Sequence, residues 1–252
     1  MSAGLIVLKN KSELALMRTA GQISAQALAV GGEMVKPGVT TAQIDRAIHK
    51  FIKSQHAVPS FLGYGGFPAS ACISVNNEVI HGIPGDRVLQ PGDVVSIDVG
   101  ALYKGFHGDN AATFGAGDIS PQAQSLLDVT RDSLYKGIEA AVVQARIGDV
   151  GHAVESHVSA FGYGIVRQWT GHGVGKALHE APEVPNFGRP GRGPRLVAGM
   201  VIAIEPMINL VGDEVKSLSD GWTVVTASGS PSAHFENTIA ITDNGPVILT
   251  RV

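Results

Sequence analysis

The sequence has little cysteine, little charge and no long apolar run. Its one cysteine, Cys72, excludes an internal disulfide framework and is compatible with a reducing compartment. Charged residues make up 16% of the chain, below the roughly 25% of average soluble domains. The formal net charge is -3 and no basic run occurs, which disfavours disordered tails and nucleic-acid binding. No apolar stretch approaches the roughly 18 residues of a membrane span.

What the chain does contain is apolar residues and glycine. Across 252 residues it is 44% hydrophobic and has 32 glycines, so it can bury a sizeable core between many loops. The first residues lack a basic region, an apolar core and a cleavage site, so we expect no signal peptide. These features favour a globular enzyme, and we expect it to be cytoplasmic.

Hydrophobic periodicity predicts a repeated order of two helices followed by strands. The predicted helices span residues 11–35, 41–51, 121–142 and 150–161, with Thr40 or Thr41 and Ser120 as caps. The predicted strands are a pair within residues 71–80, a hairpin of residues 94–101 and 106–114, and four later segments at 166–170, 200–208, 223–227 and 236–242. The order indicates a single domain of residues 1–252 with pseudo-symmetric halves at about 10–115 and 118–250.

Acidic residues occur where strands would normally be apolar. If the hairpin turns at Lys104-Gly105, Asp98 faces residue 111, and Asp109 lies two residues away on the same sheet face. Glu205 ends one strongly apolar segment and Glu236 begins another. Each acid alone could cap a turn or pair with a lysine. Together they need a compensating positive charge, because buried carboxylates are rare unless they are paired or bind metal.

A metal centre can supply that charge. Four carboxylates carry -4, which two divalent ions balance, and the nearby sequence offers no lysine or arginine for the purpose. His172, between two glycines, would be a neutral fifth ligand, although a lone histidine there is more often a surface loop residue. An oxygen-rich set with one imidazole suits Mn, Fe(II) or Co, with Zn possible. The His-Glu-x-x-His pattern, a phosphate-binding loop and the Gly-x-Ser-x-Gly elbow are absent from the sequence.

The spaced acids and histidine resemble the metal ligands of type I methionine aminopeptidases. The flanking motifs agree over most of the chain, from about residue 10 onward: CISVN at 72–76, HGIP at 81–84, IDV at 97–99, GFHGD at 105–109, TGHGVG at 170–175, IEP at 204–206 and FE at 235–236. The resemblance implies the pita-bread fold, an α/β (α+β) arrangement with a pseudo-two-fold antiparallel sheet core flanked by helices.

The resemblance also implies an activity. Members remove the initiator methionine from nascent chains when the second residue is small, by attack of a water that bridges two divalent ions (Co, Mn, Fe(II) or Zn). The implied substrates are peptides with N-terminal methionine. The ribosome is a candidate partner, whereas a membrane or a specific nucleic acid is not expected. We expect a monomer.

The family's functional residues map onto this sequence one by one. Asp98 would chelate one ion, Asp109 and Glu236 would bridge both, and His172 and Glu205 would complete the second.

The resemblance implies further roles around those ligands. Glu205 would carry the proton, His179 would stabilise the oxyanion, and His81 would contact the scissile nitrogen. The methionine side chain would lie among Tyr64, Phe67, Cys72 and Trp222.

The chain departs from the family at five positions near the site. The family usually has Gln at His234 and often His at Asn237; Leu178 replaces a common Phe, Ala203 a common Thr and Gly65 a common His. None of these changes removes a ligand. They bear on metal preference, on the shape of the pocket and on rate.

Other interpretations remain open from the sequence. A Pro-specific peptidase, aminopeptidase P or prolidase, shares the fold but generally carries a large N-terminal domain. A binding module that lost its metals would have lost ligands, and all five are present here. His107 is another candidate ligand, which we expect to point away from the cluster. Cys72 could be a nucleophile, but no histidine and acid pattern surrounds it.

Overall fold

A computed structural model describes residues 5–251 and contains four α-helices. They are α1 (Lys11–Glu33), α2 (Thr41–Ser54), α3 (Pro121–Ala140) and α4 (Ile147–Ser159). The predicted caps Thr40 and Ser120 are confirmed, since each side chain accepts a hydrogen bond from a backbone N–H in its first turn. Helix α4 begins earlier than predicted, because the Asp149 carboxylate accepts from the Arg146 N–H at 2.7 Å. Within residues 5–251 no helix is long and apolar enough to cross a membrane.

Among the described residues 5–251, fifteen strands lie between and after these helices. They are β1 (Val58–Pro59), β2 (Ala71–Val75), β3 (Glu78–Ile80), β4 (Val94–Tyr103), β5 (Phe106–Gly115), β6 (Gly164–Ile165), β7 (Gly171–Gly173), β8 (Glu180–Val184), β9 (Val201–Ile204), β10 (Met207–Asn209), β11 (Val215–Ser217), β12 (Val224–Thr226), β13 (Ser232–His234), β14 (Glu236–Thr242) and β15 (Gly245–Ile248).

One nine-stranded sheet organises the molecule. Its main path runs β1-β4-β5-β14-β9-β7-β8, with β2 also beside β4 and β15 also beside β14. Two three-stranded sheets, β13-β10-β6 and β11-β12-β3, lie outside it. The pairings are antiparallel, so the predicted α/β class with an antiparallel sheet core is confirmed. The sheet joins strands from early and late in the chain.

The central hairpin has the predicted register. Lys104 and Gly105 both have positive φ, 46° and 85°, as a tight two-residue hairpin turn requires. Asp98 consequently pairs with Ala111, and Asp109 pairs with Gly100. Residues two apart on a strand share a face, so both carboxylates project from the same side of the sheet.

The opposite face of the hairpin packs against helices. Ile97 and Val99 belong to a buried cluster with residues of α1 and α2. Helix α1 approaches β5 so closely that a Cβ atom on Gly108 would lie 2.4 Å from the Gly21 nitrogen. Only glycine fits at this contact. The acids are thus on the face that the helices do not cover.

Several predicted strands differ from the observed ones. Residues 166–170 are not a strand; the strands lie on either side of them, at β6 and β7. The predicted strand 200–208 is interrupted at Pro206, which has no N–H for a sheet ladder, and so β9 and β10 belong to different sheets. The segments predicted as a pair within residues 71–80 also separate, because β2 pairs with β4 whereas β3 pairs with β12.

Candidate metal centre and active site

Sheet register brings three of the predicted ligands together. Ala111 on β5 is paired on one side with Asp98 of β4 and on the other with Glu236 of β14. Directly paired residues point to the same face, so the two acids flank a side chain that is only a methyl group. Asp109 lies on this face two residues along β5. The small Ala111 leaves room between the carboxylates.

The remaining two predicted ligands come from the neighbouring strands. Glu205 follows directly after β9, whose Ile204 pairs with Asn237. His172 lies on β7, next to β9. Its Nδ1 donates to the Gly173 carbonyl oxygen at 2.9 Å, so in the neutral ring the lone pair is on Nε2. That Nε2 lies 3.8 Å from Asp109 Oδ2 and 3.6 Å from Glu205 Oε1.

The environment of these groups disfavours their charged forms. Burial, and then the neighbouring Asp109, raises the pKa of Asp98 well above its usual value, and burial likewise raises the pKa of Asp109 and of Glu236. Burial raises the pKa of Glu205 to about 8 and lowers the pKa of His172 to about 3. The metal-free cluster therefore holds more protons than exposed groups would.

The residues fit a divalent cation centre. Asp98 Oδ1, Asp109 Oδ1 and Glu236 Oε1 are buried without a hydrogen-bond partner, although buried polar atoms normally have one. Ligand atoms of Asp109, His172 and Glu236 lie within 4.8 Å of one another. Neutral His172 cannot donate from Nε2 to the carboxylates that it faces. Cations among these atoms would satisfy the unpaired oxygens and the lone pair together.

A single cavity of about 580 Å³ contains every predicted site residue. At one end are the five predicted ligands, and none of the described residues that line the cavity is lysine or arginine. The other predicted residues on its wall are Tyr64, Phe67, Cys72, His81, His179 and Trp222. The sequence expectation that these side chains meet at one place is consistent with this geometry.

Part of the cavity wall is apolar and begins next to the acids, since Cys72 on β2 pairs with Asp98 on β4. Phe67, Cys72 and Leu178 belong to one buried cluster, against which Trp222 packs. The Phe67 and Trp222 rings meet edge to face, with centroids 5.1 Å apart. An aromatic and aliphatic slot therefore adjoins the carboxylates.

Two histidines, His81 and His179, also line the cavity. His179 Nδ1 is 2.7 Å from the Tyr64 hydroxyl, and its ring centroid is 4.2 Å from that of His172. His81 has a positive φ of 60°, and burial lowers its pKa to about 4. Both imidazoles are neutral near pH 7, because burial lowers the pKa of His179 as well. They can donate or accept hydrogen bonds without adding charge.

Sequence reasoning missed two features of this region. Trp169 lines the cavity and meets the His81 ring edge-on at 5.0 Å; its position just before the Gly-rich motif was the available signal. A buried lysine does exist: Lys9 Nζ lies 2.6 Å from Glu180 Oε2, with the two side chains 3% and 13% exposed. This lysine compensates Glu180, which is adjacent to His179.

The two alternative site residues have other environments. His107 is two residues from Asp109 on β5 and so starts from the same sheet face, but it lies outside the group of possible ligand atoms. Its Nδ1 contacts Ser60 Oγ at 2.8 Å, and it does not line the cavity. Burial, followed by the charge of Asp98, raises the pKa of the Cys72 thiol well above its usual value. A protonated thiol is a poor nucleophile.

Comparison with known proteins agrees with the geometry. The model of metallopeptidase family M24 matches residues 15–243. The methionine aminopeptidase of Clostridium acetobutylicum is 55% identical, with 98% of this chain and 99% of that protein covered. Methionine aminopeptidase 1 of Bacillus subtilis is 50% identical over 98% of this chain and all of the relative.

Solved structures of methionine aminopeptidases have the same fold as this chain. The crystal structure of methionine aminopeptidase from Thermotoga maritima has a TM-score of 0.97 and 42% identity, covering 98% of this chain and all of that one. Prolidase from Pyrococcus furiosus has a TM-score of 0.78 at 22% identity; this chain covers 66% of it, and the likeness concerns the fold alone. The expected pita-bread fold is confirmed. The chain belongs to metallopeptidase family M24 and, within it, to the methionine aminopeptidases.

Proposed function

We propose that this chain removes the N-terminal methionine from newly made proteins whose second residue is small. The observation that carries the proposal is one cavity that joins an apolar slot to a cluster of buried, unpaired carboxylates. The high identity to methionine aminopeptidases over nearly the whole chain supports it. The slot would hold the methionine side chain while the first peptide bond lies against the acids.

The predicted ligands would hold two divalent ions, with Co, Mn, Fe(II) and Zn as candidates. The family implies divalent metal, and the charge of four carboxylates supports two ions rather than one. Asp98 would bind one ion, Asp109 and Glu236 would bridge, and His172 and Glu205 would bind the other. When bound, such ions supply Lewis acidity that polarises a peptide carbonyl and lowers the pKa of water.

The protein's own groups would position the substrate and move the protons. Glu205 would accept the proton of the attacking water and pass it to the leaving nitrogen. If Tyr64 donates to His179 Nδ1, then His179 Nε2 carries a proton and can donate to the carbonyl oxygen as negative charge develops there. His81, whose ring meets that of Trp169 edge-on, would contact the scissile nitrogen.

The apolar slot would select methionine by shape. Tyr64, Phe67, Cys72 and Trp222 would surround it, and an unbranched thioether would fit a narrow apolar space that branched Leu or Ile cannot enter without strain. The second substrate residue would pass beside the acids and the Gly-rich strand at residues 171–173. Only Gly, Ala, Ser or Thr should be accepted there.

The proposal extends to organisation and partners. We propose one catalytic domain, residues 1–252, with pseudo-symmetric halves at about 10–115 and 118–250, acting as a cytoplasmic monomer. Nascent chains with N-terminal methionine are its substrates, and the ribosome that presents them is the candidate partner. Size-exclusion chromatography with light scattering tests the monomer.

Metal dependence is the first test. Chelator-treated protein should be inactive, and activity should return with Mn, Fe(II) or Co. Titration of metal per chain should reach two equivalents at full activity. Full activity in a metal-free sample would contradict a metal-dependent mechanism, and saturation at one equivalent would contradict the two-ion site.

Specificity is the second test. Met-Ala-Ser should be cleaved at least about tenfold faster than Leu-Ala-Ser, since a pocket discriminates by roughly 1–3 kcal/mol per methylene. Met-Leu-Ser should hardly be cleaved. Mass spectrometry of a peptide panel measures all three rates. Preferential cleavage of X-Pro peptides, whatever the first residue, would instead assign the chain to the Pro-specific peptidases of the same fold.

A further inference from the structure

The imidazole of His234 is buried beside the proposed metal centre. Its side chain is 2% exposed, and its Nε2 has no hydrogen-bond partner. That Nε2 lies 3.6 Å from Glu205 Oε2. A buried polar atom without a partner is uncommon, so this one requires an explanation.

The position of His234 is set by two neighbouring strands. On β13 it pairs with Met207, two residues after Glu205. Its backbone N–H donates to Thr113 Oγ1 at 2.9 Å, and the Thr113 hydroxyl donates to the His234 carbonyl oxygen at 2.8 Å. The backbone therefore cannot rotate freely, and the side chain stays directed at Glu205.

The Glu205 carboxylate lies between two imidazoles. Its Oε1 is 3.6 Å from Nε2 of His172, the atom that also faces Asp109, so Oε1 is on the side of the proposed ions. Its Oε2 faces His234 instead. The compact group of possible ligand atoms comprises Asp109, His172 and Glu236, and both Glu205 and His234 lie outside it. His172 Nε2, which belongs to that group, faces Glu205 Oε1.

We propose that His234 is a positioning residue whose Nε2–H donates a hydrogen bond to Glu205 Oε2 and so fixes Oε1 toward the metal. The proposal rests on the proposed metal site. The 3.6 Å separation exceeds an N–H···O bond by about 0.7 Å, which a small rotation of the Glu205 carboxylate closes. A ligand whose second oxygen is held in this way binds metal more tightly, because less freedom is lost on binding.

Three substitutions separate the possible roles of this side chain. His234→Gln keeps an N–H donor of similar reach. His234→Phe keeps a flat ring but removes the N–H donor, and His234→Leu also removes the donor and has a smaller side chain. His107→Gln is the control, because His107 is a buried imidazole on the same face that contacts Ser60 and does not line the cavity. Thermal denaturation of the metal-free variants identifies any that fail to fold.

The readout is Co(II) binding, measured by calorimetry and by the visible ligand-field absorption of the bound ion. We expect His234→Phe and His234→Leu to bind Co(II) about 10–100-fold more weakly than the parent, as loss of a partner to a metal ligand typically does. His234→Gln and His107→Gln should bind within about threefold of it, since each leaves the Glu205 bond in place. The absorption band positions should stay the same in all variants, because the ligands are unchanged.

Other outcomes would overturn the proposal. Equal affinity in the Phe, Leu and parent proteins would show that His234 does not support Glu205. Altered band positions in the Gln, Phe and Leu variants alike would show that His234 is itself a ligand. Failure of the parent protein to bind Co(II) would contradict the metal site and hence the proposed function, so the two failures are distinguishable.

Discussion

Replacing Glu205 by Gln should stabilise the metal-free protein at neutral pH. Burial moves the pKa of this carboxyl from an ordinary value of 4.5 to about 8. A folded-state pKa above the unfolded one means that the protonated group favours the fold. That stability is fully present below about pH 4.5 and is lost as pH rises through about 8.

The size of the effect follows from the shift. Each pKa unit corresponds to about 1.4 kcal/mol. At pH 7 the ionisable carboxyl therefore lowers the free energy of unfolding by about 3 kcal/mol relative to a side chain that never ionises. A buried amide leaves hydrogen bonds unmade at a cost of about 1 kcal/mol. The net gain of about 2 kcal/mol corresponds to a melting temperature about 4–8 °C higher for a chain of this size.

The assay is thermal denaturation of chelator-treated proteins at pH 5, 6, 7 and 8. The difference between Glu205→Gln and the parent should be near zero or slightly negative at pH 5 and should grow with each pH unit. Glu183→Gln is the matched control, because Glu183 lines the same cavity but is exposed. A difference that does not change with pH, or a less stable Glu205→Gln protein at pH 8, would refute the reasoning.

Three further predictions concern neighbouring groups. His179→Ala should lower kcat by roughly 100–1000-fold and keep its metal, whereas Asp109→Asn should lose metal, as measured by elemental analysis. Equal metal loss in the two variants would show that His179 is a ligand. Lys9→Met should lower the free energy of unfolding, measured by urea denaturation, by about 3–5 kcal/mol, because it leaves Glu180 buried without its partner. Adding Glu180→Gln should recover most of the lost stability. Cys72 should react with iodoacetamide far more slowly in native than in urea-unfolded protein, because its thiol is buried and the pKa of that thiol is raised. Mass spectrometry measures both rates, and equal rates would contradict this.

The part of the fold that sequence predicts well is local. Turn chemistry at Lys104-Gly105 sets the hairpin register, and register alone puts Asp98 and Asp109 on one face. The caps at Thr40 and Ser120 follow from side chains that bond their own first turn. Such features depend on residues within a few positions of one another.

The features that the sequence does not predict depend on contacts between residues far apart in the chain. The strands within residues 71–80 separate because β4 and β12, which come later in the chain, each pair with one of them. Lys9 meets Glu180 across 171 positions, so no local pattern shows that this lysine is buried. Strand alternation puts His107 on the face of Asp109, but its Nδ1 contacts Ser60 and it does not line the cavity, so alternation alone does not decide which side chains enter the site.

The placement of Ala111 between Asp98 and Glu236 has a consequence for how metal and fold depend on each other. The two acids are on strands separated by a third, so their backbones are about 9.6 Å apart at the usual spacing of strands. An ion that both approach therefore bridges a gap that no backbone hydrogen bond crosses, between positions 98 and 236 of the chain. An ion bound as proposed would act as a reversible cross-link between early and late segments. Loss of metal should then destabilise the pairing of β5 with β14 before it affects the β4–β5 hairpin. Faster amide hydrogen exchange at the β5–β14 pairing would show that the site has lost its metal.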